Sequence, residues 1–227
     1  MKKFTFFAIL ACLCTCIASN AQKSNIILSI EGAPSVRWLT GNSVLGDFND
    51  PTLGFYGGIT AQIPLAKRWS LVTGVGFEHK GSVAKLDQTD FNAAIIGKTR
   101  IYNNLDYLTV PVLMRVSSGN KIRYYFNVGG YYGYLLAASS TTKDNPNNLS
   151  SRTTKEDRKS ITQSSDLGFS FGGGIRIKIT PKWAIPMEIR SNHGFINTSK
   201  VPVLNDGAIR TNAINLIVGL SYEFGKP

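Results

Sequence analysis

The chain has 227 residues, 43% of them hydrophobic, 11% aromatic and 17% charged, which suits one ordinary domain and is too rich in aromatic and β-branched residues for a disordered chain. Past a short apolar stretch at the start, no run reaches the roughly 20 apolar residues of a spanning helix, so a helical membrane protein is excluded while spanning by strands is not. The net charge is +11, from 25 Lys and Arg against 14 Asp and Glu; in an exported chain such an excess meets acidic lipid head groups rather than nucleic acid.

Residues 1–21 read as a signal peptide. Lys2 and Lys3 make a positive start, an apolar stretch runs over 4–17, and Ser19-Asn20-Ala21 forms a small-residue cleavage pattern before Gln22. Cys12, after Ile9-Leu10-Ala11, offers a lipoprotein reading, which the continuation of the apolar run to Ile17 opposes. Cleavage after Ala21 leaves residues 22–227 as one domain. It also removes Cys12, Cys14 and Cys16, all the cysteines of the chain, and with them disulfide scaffolds, thiolate metal sites and cysteine nucleophiles.

Everything after Gln22 alternates with period two. Eight strands are predicted in chain order, over 25–33, 54–65, 69–80, 106–116, 121–136, 166–179, 183–192 and 214–224. In the second, Phe55, Ile59 and Ile63 oppose Tyr56, Thr60 and Gln62. In the third, Trp69, Leu71, Val75 and Phe77 oppose Ser70, Gly74, Glu78 and Lys80. The fourth sets Leu108, Val110, Val112 and Met114 against Tyr107, Thr109, Pro111 and Arg115. The sixth is the cleanest, with Leu167, Phe169, Phe171, Ile175 and Ile177 against Asp166, Gly168, Ser170, Gly172 and Arg176. Pro111 and Pro186 each remove one ladder hydrogen bond, so a bulge or local break is expected beside each.

The connections alternate strictly between short and long. Tight turns are predicted near 64–68, 117–120 and 180–182. Long polar connections fill 35–53, 81–103, 138–165 and 194–212. An even number of long antiparallel strands with short turns at one end and long loops at the other is the signature of an outer-membrane barrel. The predicted fold is therefore all-β, an eight-stranded antiparallel up-and-down transmembrane β-barrel, with both termini on the short-turn, periplasmic side.

A soluble periplasmic ligand-binding barrel of lipocalin type shares the strand count but has apolar residues inside and charge outside. Here the glycine-rich face also carries Glu31, Glu78, Arg115, Arg123, Asp166, Arg176, Glu188, Arg190 and Glu223. Those nine residues are the predicted lumen charge network, a salt-bridged plug in an interior that eight strands leave just wide enough for side chains. Aromatic residues at strand ends, among them Trp38, Phe55, Tyr56, Trp69, Tyr107, Tyr124, Tyr125, Tyr131, Tyr132, Trp183 and Tyr222, are predicted to form membrane girdles.

The chain resembles the PorT-type small outer-membrane β-barrel proteins of Bacteroidetes. The stretches that carry the resemblance are Asp106-Tyr107-Leu108-Thr109-Val110-Pro111-Val112-Leu113-Met114-Arg115, Asn127-Val128-Gly129-Gly130-Tyr131-Tyr132-Gly133-Tyr134-Leu135-Leu136, Asp166-Leu167-Gly168-Phe169-Ser170-Phe171-Gly172-Gly173-Gly174-Ile175, and the strand over 215–224. It implies location in the cell outer membrane and insertion by the barrel-assembly machinery. Many such proteins end on an aromatic residue, whereas Gly225-Lys226-Pro227 follow Phe224 here, so recognition would use Phe224 internally. The family name covers several roles, including a secretion-machinery subunit.

Little conventional chemistry is on offer. His79 and His193 are the only histidines, and neither has a second ligand at metal spacing, so no metal and no cofactor are expected. Ser191 and His193 share one face of the seventh strand while Glu188 lies on the other, so these three form no triad. No enzyme is expected, although lipid-modifying enzymes exist on this architecture. The loop over 139–163 ends in a basic stretch whose Arg152, Lys155, Arg158 and Lys159 suit contact with outer-leaflet glycolipid. The role expected is structural or interaction-based, with four long outside loops, a filled lumen and an unidentified protein partner; a narrow pore for ions or small solutes is the alternative.

Overall fold

The computed structural model describes residues 26–41, 50–89, 91–92, 94–146, 150–203 and 207–225. The predicted signal peptide and its cleavage point lie outside the described residues. Nine strands follow in order: β1 (Ile27–Thr40), β2 (Thr52–Pro64), β3 (Trp69–Thr89), β4 (Ile95–Ser118), β5 (Ile122–Pro146), β6 (Arg152–Asp157), β7 (Ser165–Lys178), β8 (Trp183–Gly194) and β9 (Arg210–Glu223). Eight of them close a ring, each antiparallel to its neighbour, with β5 pairing β7 and β9 returning to β1. Closure gives each of these eight strands a neighbour on both sides, which lipid demands because it offers the backbone no hydrogen bonds.

The long connections are more ordered than their composition suggests. β3 and β4 continue past the predicted strand ends as a paired ribbon, from Gly81↔Asn104 to Thr89↔Ile95. β5 likewise extends to Pro146, and β6 pairs with its Ser139 to Asp144 segment, taking over beyond the rim the edge that β7 occupies below it. A ribbon wet on both faces keeps its backbone ladder but loses the apolar alternation, so hydrophobic periodicity cannot report it.

The prolines behave as expected. Pairing of β3 with β4 runs through Thr73↔Val112 and resumes at Gly76↔Thr109, skipping Pro111. Pairing of β8 with β9 likewise skips from Ala184↔Ser221 to Met187↔Val218 around Pro186. Register is kept across both, so each is a break and not a bulge. Pro34 on β1 makes a third, between Gly32↔Val218 and Ser35↔Asn215.

Polarity is inverted relative to a soluble barrel. Ile30, Ile59 and Ile189 on the outer face are 68%, 58% and 59% exposed, whereas Glu78, Lys80 and Asp166 inside are 1%, 0% and 0% exposed. An apolar skin over a charged interior is stable only in lipid. At the short-turn end Trp183 and Tyr222 meet edge to face at 4.9 Å, and Tyr222 meets Phe224 at 4.7 Å, as an interfacial girdle does.

Four of the predicted girdle residues belong elsewhere. Tyr56, Tyr107, Tyr125 and Tyr131 are buried inside the barrel. They share the parity of the lumen residues on their strands, and the pleat decides the face whatever the residue type. Trp69, Tyr124, Tyr132 and Trp183 do face outward.

Candidate functional site

The barrel interior is a stack of polar layers. Nearest the short turns, Arg176 on β7 approaches Glu223 on β9 at 3.4 Å and hydrogen-bonds Ser221, while Lys178 lies 3.9 Å from Glu223. Glu223 is 19% exposed at this rim and Arg176 only 4%. Glu223→Gln, which leaves that guanidinium a neutral acceptor only, is expected to cost about 1–3 kcal/mol; an unchanged urea unfolding midpoint would show that water screens the pair.

The middle layer is held by two arginines. Arg115 bonds Gln62, Asn127 and Glu188 at 2.9, 2.7 and 3.3 Å and lies 3.9 Å over the ring of Tyr125. Arg190 bonds Glu188 at 2.7 Å and approaches Glu31 at 3.8 Å, and Glu31 also accepts from Thr60 at 2.8 Å. Forks of fixed geometry let one guanidinium satisfy several acceptors, which makes buried carboxylates tolerable here.

The upper layer centres on a lysine that the predicted network omits. Lys80 donates to Asp166 at 3.0 Å and to Tyr131 at 2.8 Å, sits 3.5 Å from Glu78, and lies 4.0 Å from the centre of the Tyr131 ring. Asp166 also accepts from Thr211 at 2.6 Å, and Glu78 accepts from Asn192 and Asn215 at 2.8 and 2.9 Å. Above it Arg37, also absent from the predicted network, bonds Asn104 at 2.9 Å and the carbonyls of Leu53 and Lys80. An apolar cap of Leu39, Leu105, Tyr107, Leu135 and Ala138 closes the outer end.

Eight of the nine predicted network residues thus lie in the three layers of the barrel interior. Arg123 stands apart, half-exposed at the short-turn end beside Lys121 and Asn120. Lys80 is legible from its parity with Glu78, but the Glu-His-Lys-Gly run reads as a wet strand end. With Arg37 and Lys80 included, five acids and five bases face the lumen, and Lys178 adds a sixth base at the short-turn rim.

The basic loop residues do not converge. Arg152 starts β6 near the tip, and Arg158 turns towards Leu39 and Ile209 on the other side of the loop. Lys155 and Lys159 do share an open pocket of about 480 Å³ with Asp106, Leu136 and Asp157, and the Lys159 ammonium donates to the Leu136 carbonyl at 2.7 Å.

Both histidines lie on the outer face. His79 meets Asp106 at 2.5 Å and stacks on Phe55. His193 lies between Ser191 and Asn212, with Nε2 at 2.8 Å from the serine oxygen and Nδ1 at 2.9 Å from the amide oxygen. Glu188 points into the lumen, as its parity requires. Asn212 is out of reach of sequence reasoning because its proximity depends on the register of β8 against β9. Among the described residues, no cluster of three or more His, Cys, Asp or Glu is arranged to hold a metal ion.

A family model described as outer membrane protein beta-barrel domain matches residues 20–200. No match is found among curated proteins. Solved structures similar to this chain include the attachment invasion locus protein Ail of Yersinia pestis, 12% identical over 89% of this chain and 99% of that one with a TM-score of 0.41. Neisserial surface protein A is 11% identical over 88% and 97%, TM-score 0.39. A major outer membrane protein from Thermus thermophilus is 14% identical over 88% and 99%, TM-score 0.46.

Proposed function

This chain belongs to the outer membrane protein beta-barrel domain family, and from that premise we propose that it is a structural and interaction barrel whose lumen is sealed and carries neither transport nor chemistry. It resides in the outer membrane as an eight-stranded antiparallel barrel. Within the family we assign it to the PorT-type proteins of Bacteroidetes, on the resemblance carried by segments that lie in β4, β5, β7 and β9. Export with cleavage after Ala21, and insertion by the assembly machinery through Phe224, belong to the same reading.

The observation that carries a sealed lumen is the buried, cross-strand paired charge network. Its five acids and five bases share one interior, most of them paired across strands, and the interior of an eight-stranded barrel is filled by such side chains. The apolar cap over the upper layer supports the same conclusion. What the barrel offers its surroundings is its outer skin and the ribbons that project beyond the membrane. Lys155 and Lys159, above the lipid-facing Leu136, support contact with acidic groups of outer-leaflet glycolipid.

Conductance tests this reading. The refolded protein in planar bilayers is expected to show no steps above baseline at any salt concentration, while its electrophoretic mobility shifts on boiling as a closed barrel's does. Reproducible stepwise conductance from heat-modifiable protein would replace the sealed plug with a narrow pore.

A further inference from the structure

We propose that the lipid-facing surface of β8 and β9 at the outer rim carries a serine acyl-hydrolase site, made of Ser191, His193 and Asn212, that acts on a fatty-acyl ester of a bilayer lipid. This goes beyond the sealed-lumen reading and stands or falls separately from it, because none of the three residues faces the lumen.

Ser191 and His193 are two apart on β8, so the pleat sets both side chains on the lipid face. Asn212 on β9 is the cross-strand partner of His193. The serine oxygen lies 2.8 Å from His193 Nε2, and His193 Nδ1 lies 2.9 Å from the Asn212 amide oxygen. Asn212 turns its Oδ1 to the imidazole and its Nδ2 to Thr40 Oγ1, which accepts at 2.9 Å. An amide oxygen only accepts, so Nδ1 carries the ring proton and Nε2 presents its lone pair to the serine hydroxyl. That is the tautomer a nucleophile–base–orienter arrangement requires, whatever the fold. The imidazole also stacks on Phe171, with planes 8° apart and centroids 5.8 Å apart, which holds the ring in place.

The third member is an amide where soluble triads often have a carboxylate. On a lipid-facing surface an ionised side chain is costly, and a neutral oxygen still fixes the tautomer.

The surroundings point to the substrate. Ser191 borders a groove of about 520 Å³ on the outer face, walled by Phe126, Phe171, Ile189 and Ile214 and floored at Gly173. A Cβ at Gly173 would meet only the Tyr125 carbonyl at 3.7 Å and the Phe126 ring at 3.9 Å, so packing does not demand glycine there, and its absent side chain leaves the groove open. An apolar slot in lipid, ending at a nucleophile, fits an acyl chain. His193 is the penultimate residue of β8, at the end opposite the Trp183 girdle, which sets the site towards the long-loop rim of the barrel.

The chemistry balances with water as co-reactant. Ser191 Oγ bonds to the acyl carbonyl carbon as its proton passes to Nε2. The ester C–O bond breaks, and the imidazolium returns that proton to the departing oxygen, releasing a lipid alcohol and leaving acyl-Ser191. Water then attacks the acyl carbon, giving a proton to Nε2. As the carboxylic acid leaves, that proton restores the serine hydroxyl.

The test uses the full-length mature protein reconstituted in vesicles of phosphatidylethanolamine and phosphatidylglycerol, with a second set containing lipopolysaccharide. Free fatty acid is read by mass spectrometry, and hexadecanesulfonyl fluoride labelling is mapped by peptide. Fatty acid release from at least one vesicle set, with label on Ser191, is expected, and the set that responds tells phospholipid from glycolipid. Ser191→Ala should abolish the label and lower release by about 1,000-fold or more. Asn212→Ala should lower turnover by about 100-fold, with Asn212→Asp recovering much of it. Gly173→Leu should block long-chain esters while a butyrate ester is still cleaved, which a folding defect would not produce. Heat-modifiable native protein that releases no fatty acid from either set and takes no label at Ser191 overturns the proposal, as does release undiminished in Ser191→Ala.

Discussion

Replacing Lys80 with methionine is expected to destabilise the barrel by about 3–5 kcal/mol, the cost of removing one partner from a buried ion pair. The ammonium lies between Asp166 at 3.0 Å and Glu78 at 3.5 Å, with all three side chains at most 1% exposed. Methionine matches the length and much of the volume of lysine, so the loss is electrostatic: two carboxylates would share a dry layer with no cation between them. Urea unfolding from lipid vesicles, followed by tryptophan fluorescence, measures it. Adding Glu78→Gln and Asp166→Asn should recover most of the stability, because the amide oxygens can still accept from Asn192, Asn215, Tyr131 and Thr211. An unchanged midpoint in the single variant would mean that water reaches this layer and that the plug is not sealed there.

The second large effect is expected at Gly81, where alanine should cost about 2–4 kcal/mol through backbone strain and a clash that cannot be relieved locally. Gly81 has φ +131°, a region open to glycine and little else. A Cβ there would stand 1.8 Å from the Asn103 carbonyl oxygen and 2.7 Å from Arg37 Nη1. To make room, β3 would have to part from β4 at the point where the barrel passes into its projecting ribbon, releasing the Arg37 guanidinium from the carbonyls it holds. Gly32→Ala is the control, since nothing lies within 4 Å of its added Cβ. Comparable midpoints for the two variants would show that the ribbon can separate from the barrel at little cost.

Much of the architecture is legible in the order of residues alone. Parity puts Glu31, Glu78, Arg115, Asp166, Arg176, Glu188, Arg190 and Glu223 on one face, and they line the interior in three layers of paired charges. Alternating short and long connections foretell an up-and-down ring with its turns at one end. Two kinds of residue escape. The tyrosines at 56, 107, 125 and 131 read by type as interfacial, although their own strands place them inside with the charges. The projecting ribbons, Lys85 to Thr89 on β3 and Ser139 to Asp144 paired with Arg152 to Asp157, lose a clear alternation because most of their side chains are exposed, and so read as loops while remaining paired.

The sequence by itself determined the eight strands of the ring, the face on which their side chains fall, and therefore the inverted polarity that puts this chain in a membrane; a period of two needs only neighbouring residues to be read. Which residues meet across the barrel was decided by tertiary structure alone. Lys80 and Asp166 are brought together from strands that are not neighbours, and Asn212 reaches His193 only because β9 sits in one register against β8. A slip of two residues would keep every side chain on its face and break both contacts. Register and closure depend on ladder pairing around the whole ring, which no local pattern in the chain encodes.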